Sequence, residues 1–268
     1  MSLMGDNEVI HFRSYYIITR IEASIRNLTP LRVGAGKGYR IGEPDLPIVR
    51  TPDKRAVIPG SSLKGVFRNN LARFLNLDVE KDLSYAFGSG GDNPLGSSLL
   101  FSDFVTEKPV ETVERAHIRI DLRTGGTQNL FQVEYVPENN VFKGLIIGRN
   151  IPLTDLSAMV SVITKLLNLG VVRVGGFKSR GYGIVNFDID KIQVMLPSEE
   201  LTYKTELGIK RRGAREIRIK VEGDKLVENG KGFLVKPVSD MQFFKVYEID
   251  KNSFYSVGDE VLKTITTA

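Results

Sequence analysis

Strand-like and helix-like patterns follow one another along the chain in an order that few folds can accommodate. Apolar and polar residues alternate over 14–28, which predicts a strand. Apolar residues recur every three or four positions over 61–76 and 153–169, which predicts two amphipathic helices. Further strands are predicted at 98–104, 115–123, 130–137, 141–148, 171–174 and 184–190. This order predicts an α+β fold, a ferredoxin-like core with two helices on one face of an antiparallel sheet.

Residues typical of caps mark the helix ends. Ser61 or Ser62 is expected to cap the first helix and Thr154 the second, while Gly170 is expected to end the second helix. The buried face of the first helix is expected to contain Leu63, Val66, Phe67, Asn70, Leu71, Phe74 and Leu75.

Composition excludes several classes of protein. The 268 residues contain no cysteine, which excludes disulfides and thiolate metal sites and fits a cytoplasmic location. With only two histidines, a multi-histidine metal site is not expected. No apolar run approaches the roughly 18 residues of a membrane span, so no membrane partner is expected. The net charge of +5 favours an anionic partner.

The chain divides by composition into three parts. Residues 1–13 form an N-terminal segment without a secretory leader pattern, and the Met-Ser-Leu before Met4 is typical of an expression remnant. Residues 14–190 hold the α+β pattern. Residues 191–268 are expected to be a small C-terminal extension, in which 209–220 carries six basic residues and one acidic residue. That run is either solvated surface or a site for RNA or a neighbouring subunit.

The first of three glycine-rich segments is GAGKG, residues 34–38. A dinucleotide-binding fingerprint would need glycine where Tyr39 stands, and a Walker A loop would need Ser or Thr where Gly38 stands. Both nucleotide-binding motifs are therefore excluded. Two alternatives remain: a flexible turn, or a nest of backbone NH groups that approaches phosphate beside Lys37 and Arg40.

The second segment is PGSSLKG, residues 59–65, at the start of the first helix. Unpaired backbone NH groups and the helix dipole at such a start favour phosphate, and Ser61, Ser62, Lys64 and Arg68 would lie beside it. The alternative is ordinary capping, with the basic residues on a solvated face.

The third segment is GGFKSRGYG, residues 175–183, which suits either a tight turn or close approach to a ligand. Lys178 and Arg180 offer charge for a sugar–phosphate chain, and Tyr182 offers a ring that can stack on bases. Three glycine-rich segments, each with a basic residue, together predict RNA as the partner.

Four separated blocks then carry a family resemblance. RVGAGKG, PDLPIVRTPDKRAVIPGSSLKGVFRNNL, AFGSG with LLFSD, and GGFKSRGYGIVNFDI resemble the RAMP superfamily of CRISPR-associated proteins, in particular the backbone subunits of type III effector complexes. The resemblance covers about residues 14–190. It implies an RRM-like ferredoxin core, a filament of these subunits along a guide RNA, complementary target RNA and other effector subunits as partners, and a β-hairpin thumb at 115–137.

The resemblance also implies a catalytic residue. Asp45, in EPDLPIVR, matches the aspartate that family members use to cut target RNA, and it would hold a divalent cation, expected to be Mg²⁺. Pro44 and Leu46 differ from the smaller neighbours usual in the family, so Glu43 is the alternative acidic group. Without the resemblance, Asp45 would be interpreted as a turn residue.

Three functions follow in order of preference. The first is a guide-RNA-binding subunit with metal-dependent endoribonuclease activity, and the second is the same RNA-binding scaffold without catalysis. The third is a precursor guide-RNA processing ribonuclease that needs no metal and uses His11 or His117 for acid–base chemistry.

Overall fold

The computed structural model describes residues 14–38, 44–90, 95–206, 209 and 215–266. Its strands are β1 (Ile18–Asn27), β2 (Val57–Ile58), β3 (Leu99–Phe101), β4 (Phe104–Thr106), β5 (Val113–Ile120), β6 (Thr127–Tyr135), β7 (Val141–Arg149), β8 (Val185–Leu196), β9 (Glu200–Thr205), β10 (Arg215–Glu222), β11 (Lys225–Glu228), β12 (Lys231–Asp240) and β13 (Lys245–Ile249). Its helices are α1 (Gly60–Leu75), α2 (Val79–Asp82), α3 (Ser84–Phe87), α4 (Leu153–Asn168) and α5 (Lys251–Thr266).

The predicted α+β fold is confirmed. Within the described residues, one antiparallel sheet has the order β2-β4-β7-β1-β8-β13-β12-β11-β10-β9, with β3 also paired to β7. Central β1 pairs with β7 on one side and β8 on the other. Since α1 lies between β1 and β4 in the chain, and α4 between β7 and β8, this is the split βαβ order of a ferredoxin-like core.

Alternation in β1 determines which face of the sheet is covered. Thr19, Ile21, Ala23, Ile25 and Asn27 are buried, while the residues between them are more exposed, as period-two geometry requires. The buried face meets the apolar faces of α1 and α4, whose Leu63, Phe67, Leu156 and Ile163 belong to one continuous hydrophobic core. Both predicted helices are confirmed within one residue at each end.

The helix caps differ from prediction. Pro59 and Pro152 occupy the N-cap positions, and neither supplies a side-chain hydrogen bond, so the predicted caps Ser61, Ser62 and Thr154 are wrong. A carboxylate from a distant residue replaces each cap: Asp103 Oδ1 accepts from the Gly60 backbone NH at 2.9 Å. Sequence-local rules could not identify these partners because they lie far away in the chain.

Three residues of the predicted buried face of α1 are not fully buried, and one of them, Leu75, still packs against the core. Phe74 is 49% exposed and Asn70 is only partly buried, its Nδ2 donating to the Val66 carbonyl at 2.7 Å. The predicted strand 98–104 is two short strands, and Ser102 and Asp103 between them contact β7 and α1 respectively. The strand predicted at 171–174 is wrong, since these residues lie in the connection between α4 and β8.

Strands β5 and β6 form a separate two-stranded antiparallel sheet outside the main sheet. This hairpin, Val113–Tyr135, is called the thumb below. Its turn is held by Asp121, which accepts the Gly125 NH on its carbonyl at 2.8 Å and the Arg123 NH on its carboxylate at 2.7 Å. The hairpin predicted over 115–137 is thus present.

The C-terminal segment continues the main sheet. Strand β13 pairs with β8, and the further strands follow outwards to β9. Buried Glu228 of β11 accepts the backbone NH groups of Leu153 and Thr154, each at 2.7 Å, so the C-terminal segment caps α4. Helix α5 packs on α4, with Lys165 Nζ 2.5 Å from Asp259 Oδ1.

In the described part of the chain, no helix is both long and apolar enough to cross a membrane.

Candidate nucleic-acid interface

The three glycine-rich segments meet at one open cleft of about 1050 Å³. The first segment contributes Gly34 and Gly36, the start of α1 contributes Ser61 and Ser62, and the third segment contributes Lys178. The other lining residues are Arg32, Val33, Gly65, Val66, Asn69, Asn70, Arg73, Val171, Val172, Arg173, Gly175, Gly176 and Ser179. Three segments that are separate in sequence therefore form one surface.

The charge of this lining has one sign. Arg32, Arg73, Arg173 and Lys178 line the cleft, and among its described lining residues there is no aspartate or glutamate. Arginine presents a planar fork of donors that matches a phosphate group. Such a cleft favours an anionic chain over a neutral or cationic ligand.

One side of α1 faces the cleft along its length. Ser62, Gly65, Asn69 and Arg73 of the lining are separated by three, four and four residues, a spacing that places them on one helix face. The sequence prediction missed Asn69 and Arg73, together with Arg32 and Arg173. The pattern that could have revealed the α1 pair is this polar stripe, which runs along the edge of the apolar face.

Gly175 allows the third segment to approach Arg32, two residues before the first segment. Its φ is +82°, and a Cβ there would lie 2.2 Å from the Arg32 carbonyl oxygen. The next residue, Gly176, donates its backbone NH to that oxygen at 2.8 Å. Only glycine can adopt this positive φ and also leave room for the Arg32 carbonyl oxygen, so the shape of the cleft depends on Gly175.

Other predicted site residues lie elsewhere. Lys64 and Arg68 lie on the other side of α1 from the polar stripe. Arg68 forms an ion pair with Glu80 at 2.6 Å. Partial burial, and then the nearby charge of Arg68, lower the pKa of Lys64. Lys37 is exposed on the first segment. Arg40 lies outside the described residues, as do Glu43 and His11.

Arg180 and Tyr182 belong to an aromatic cluster between the third segment and the thumb. The Arg180 guanidinium lies 5.1 Å from the ring centroid of Phe177, while Tyr182 packs edge-on against Tyr135 with centroids 5.6 Å apart. Because Tyr182 is only 1% exposed, its ring supports the thumb base and is not presented for stacking on a base. The expected stacking role of Tyr182 is corrected accordingly.

His117 is part of the same cluster. Its ring stacks on Phe177 and Phe131 with centroids 5.3 and 5.7 Å apart, and its Nε2 lies 3.4 Å from the Tyr182 hydroxyl oxygen. Burial, then the charges of Arg180 and Arg115, lower its pKa, so His117 is mainly neutral near pH 7.

Asp45 lies between the cleft and the thumb. Its carbonyl oxygen accepts the Gly38 NH at 3.0 Å, and its carboxylate Oδ2 accepts the Gln132 NH of β6 at 2.8 Å. Leu46 continues the contact, donating its NH to the Gln132 carbonyl at 3.1 Å. The residue is exposed, which leaves most of its carboxylate lone pairs accessible.

A partly buried ion pair fixes this segment to the thumb. Glu134 of β6 accepts from the Ile48 NH at 2.8 Å, from the Thr112 hydroxyl at 2.6 Å and from the Arg50 guanidinium. Burial raises the pKa of Glu134, but these hydrogen bonds and the Arg50 charge outweigh it and hold the pKa below its ordinary value. Glu134 is therefore ionised at neutral pH.

A metal ion at Asp45 would have few protein ligands. Among the described residues, no cluster of three or more His, Cys, Asp or Glu side chains could hold a cation. An exposed single carboxylate fits a divalent cation whose other ligands are water and RNA oxygens, as Mg²⁺ often retains waters and binds phosphate.

Two named proteins are similar to this chain in sequence. It is 28% identical over 202 residues, 68% of this chain and 94% of the relative, to CRISPR system Cms endoribonuclease Csm3 of Enterococcus italicus. It is 43% identical over 67 residues, 24% of this chain and 28% of the relative, to the protein of the same name from Mycobacterium tuberculosis.

The fold matches a chain of the type III-B Cmr-beta cryo-EM structure in the apo state. The TM-score is 0.52 at 15% identity, over 64% of this chain and 97% of the other. The family model of the RAMP superfamily matches residues 24–186, which include the cleft, Asp45 and the thumb. The chain therefore belongs to the RAMP superfamily.

Proposed function

We propose that this chain is a guide-RNA-binding backbone subunit of a type III CRISPR effector complex, and that it cuts target RNA through Asp45. The observation that carries the proposal is the junction of the cationic cleft, the thumb and Asp45. Membership of the RAMP superfamily and similarity to relatives named Csm3 endoribonuclease support it.

The cleft suits a single strand of RNA. Arg32, Arg73 and Lys178 provide cations along one open groove, and Asn69 adds neutral hydrogen-bonding groups on α1. Phosphate contacts of this kind bind and orient a strand without reading its sequence. The guide's sequence is then free to vary, as a subunit that holds many different guides requires.

Asp45 provides a carboxylate where the cleft meets the thumb. The Gln132 NH and the Gly38 contact orient it, and its accessible oxygens can accept the proton of a ribose 2′-hydroxyl or hold a cation. When bound, Mg²⁺ would supply stabilisation of the negative charge that develops at the scissile phosphate. The protein's part is to hold the carboxylate in register with the bound strand.

The assembly around the subunit belongs to the same proposal. Repeated copies along one guide, neighbouring effector subunits and a cytoplasmic location would follow from a backbone role. The exposed apolar residues of the thumb, Ile118, Ile120, Leu122 and Leu130, suit insertion beside stacked bases of a guide–target duplex.

The experiment is cleavage of guide-complementary RNA by the assembled complex with Mg²⁺, comparing the natural chain with Asp45→Asn. We expect regularly spaced products from the natural complex and at least a hundredfold slower cutting by the variant, with guide affinity within about twofold. Asp53→Asn, an exposed aspartate in the same connection, is the control and should cut normally.

The outcomes separate the three functions. Tight guide binding with no cutting by either complex would leave the non-catalytic scaffold. Cutting that resists chelators and Asp45→Asn, but is lost in His117→Gln, would support the processing ribonuclease instead.

A further inference from the structure

Phe177 lies where the cleft meets the thumb. It precedes the Lys178–Arg180 turn and has a φ of +56°, which side chains with a Cβ rarely adopt. Its ring centroid is 5.3 Å from that of His117 on β5 and 6.4 Å from that of Phe131 on β6. One side chain of the third glycine-rich segment therefore contacts both strands of the thumb.

Two guanidinium groups hold the same ring. The Cζ atoms of Arg32 and Arg180 lie 5.3 and 5.1 Å from the Phe177 ring centroid. A guanidinium is attracted to the electron-rich face of an aromatic ring, most strongly where water is partly excluded. Because Arg32 also lines the cleft, Phe177 connects the third segment to the chain just before the first segment.

Strand β6 connects Phe177 to Asp45. Phe131 packs against Phe177, and the next residue, Gln132, donates its backbone NH to the Asp45 carboxylate at 2.8 Å. A displacement of β6 relative to the third segment would therefore move the hydrogen-bond donor that orients Asp45. The cleft and the carboxylate are linked through two adjacent residues of one strand.

We propose that Phe177 is a positioning residue that fixes Asp45 relative to RNA held in the cleft. The proposal rests on the proposed function in so far as Asp45 acts on bound RNA. Phe177 supplies no proton and no metal ligand. Its packing sets the distance between Asp45 and RNA held in the cleft. Positioning of this kind affects rate strongly, since a misplacement of about 1 Å can cost roughly a hundredfold.

The test uses Phe177→Leu, which keeps apolar volume but removes the ring, and Phe177→Tyr, which keeps the ring. Phe131→Leu removes the same contact from the thumb side. Phe254→Leu is the matched control, because it makes the same change at a more deeply buried phenylalanine that packs on Phe233 in the C-terminal part. Two measurements are made: hydrogen exchange of the Gln132 amide in the free protein, and single-turnover cleavage by the assembled complex at saturating target.

Phe177→Leu and Phe131→Leu should each speed exchange at Gln132 and slow cleavage by about tenfold or more, with guide affinity within about threefold. Phe177→Tyr should restore both values, and Phe254→Leu should leave both unchanged. Unchanged exchange at Gln132 in both leucine variants would overturn the proposal, as would an equal loss in Phe254→Leu. If the natural complex does not cut, the proposed function fails separately, and exchange at Gln132 alone decides whether Phe177 positions Asp45.

Discussion

At the scale of single residues, the site depends on partners that are far apart in sequence. Asp45 is oriented by Gln132, and Arg50 is paired with Glu134, across separations of more than 80 residues. Sequence patterns identified Asp45 through a family resemblance, but they gave no indication of these partners. Long-range partners depend on how the thumb folds back, which no local pattern encodes.

The ion pair between Glu134 and Arg50 is expected to stabilise the folded protein. Glu134→Ala should lower the free energy of unfolding by about 3 kcal/mol at pH 7, since it leaves the Arg50 charge unpaired in a partly buried place. The measurement is urea unfolding of the natural and variant proteins. A loss below about 0.5 kcal/mol, the range of ordinary surface substitutions, would contradict the role given to this pair.

The pH dependence follows from the same group. Because folding lowers the pKa of Glu134, its contribution is present above its ordinary pKa of 4.5 and is lost as pH falls through the folded value. The natural protein should therefore lose stability below about pH 4.5 more steeply than Glu134→Gln, by the linkage between proton binding and folding. Parallel stability curves for the two proteins would contradict this assignment.

At the scale of elements, periodicity predicted α1 and α4 well, but it missed α5 and the contacts that cap the helices. The α1 and α4 ranges follow from apolar spacing because burial of one face dominates their stability. The cap positions did not follow, since Asp103 and Glu228 satisfy helix-start NH groups from other elements. Phe74 was misplaced because apolar spacing cannot tell where along its length a helix leaves the core.

Substitution of Gly175 tests the close packing of the third glycine-rich segment. Gly175→Ala should destabilise the protein by roughly 1–3 kcal/mol, because alanine is strained at positive φ and its Cβ meets the Arg32 carbonyl. RNA affinity should fall as well, because the third segment moves away from Arg32 in the cleft. Gly232→Ala is the control, as a Cβ there has no atom within 4 Å. Equal thermal stability and RNA affinity in the two variants would contradict the close approach at Gly175.

At the scale of the whole molecule, the sequence predicted the ferredoxin-like core from element order alone. The shared composition of the three glycine-rich segments predicted RNA as their partner, and the structure shows that the segments meet at one cleft. The strand pairing of residues 191–268 could not be predicted from the sequence. Their strands join the main sheet at β8, and such pairing depends on edge compatibility and not on local periodicity.

The salt dependence of guide-RNA binding tests the central claim, that the cleft holds RNA by its phosphates. The affinity of single-stranded RNA is measured from low to moderate salt for the natural chain and for Arg73→Gln, Lys178→Gln and Lys236→Gln, the last being an exposed lysine on β12. The slope of log affinity against log salt should fall by roughly 0.7 for each cleft variant and stay unchanged for Lys236→Gln. Equal slopes for all four proteins would show that RNA binds elsewhere and would contradict the account.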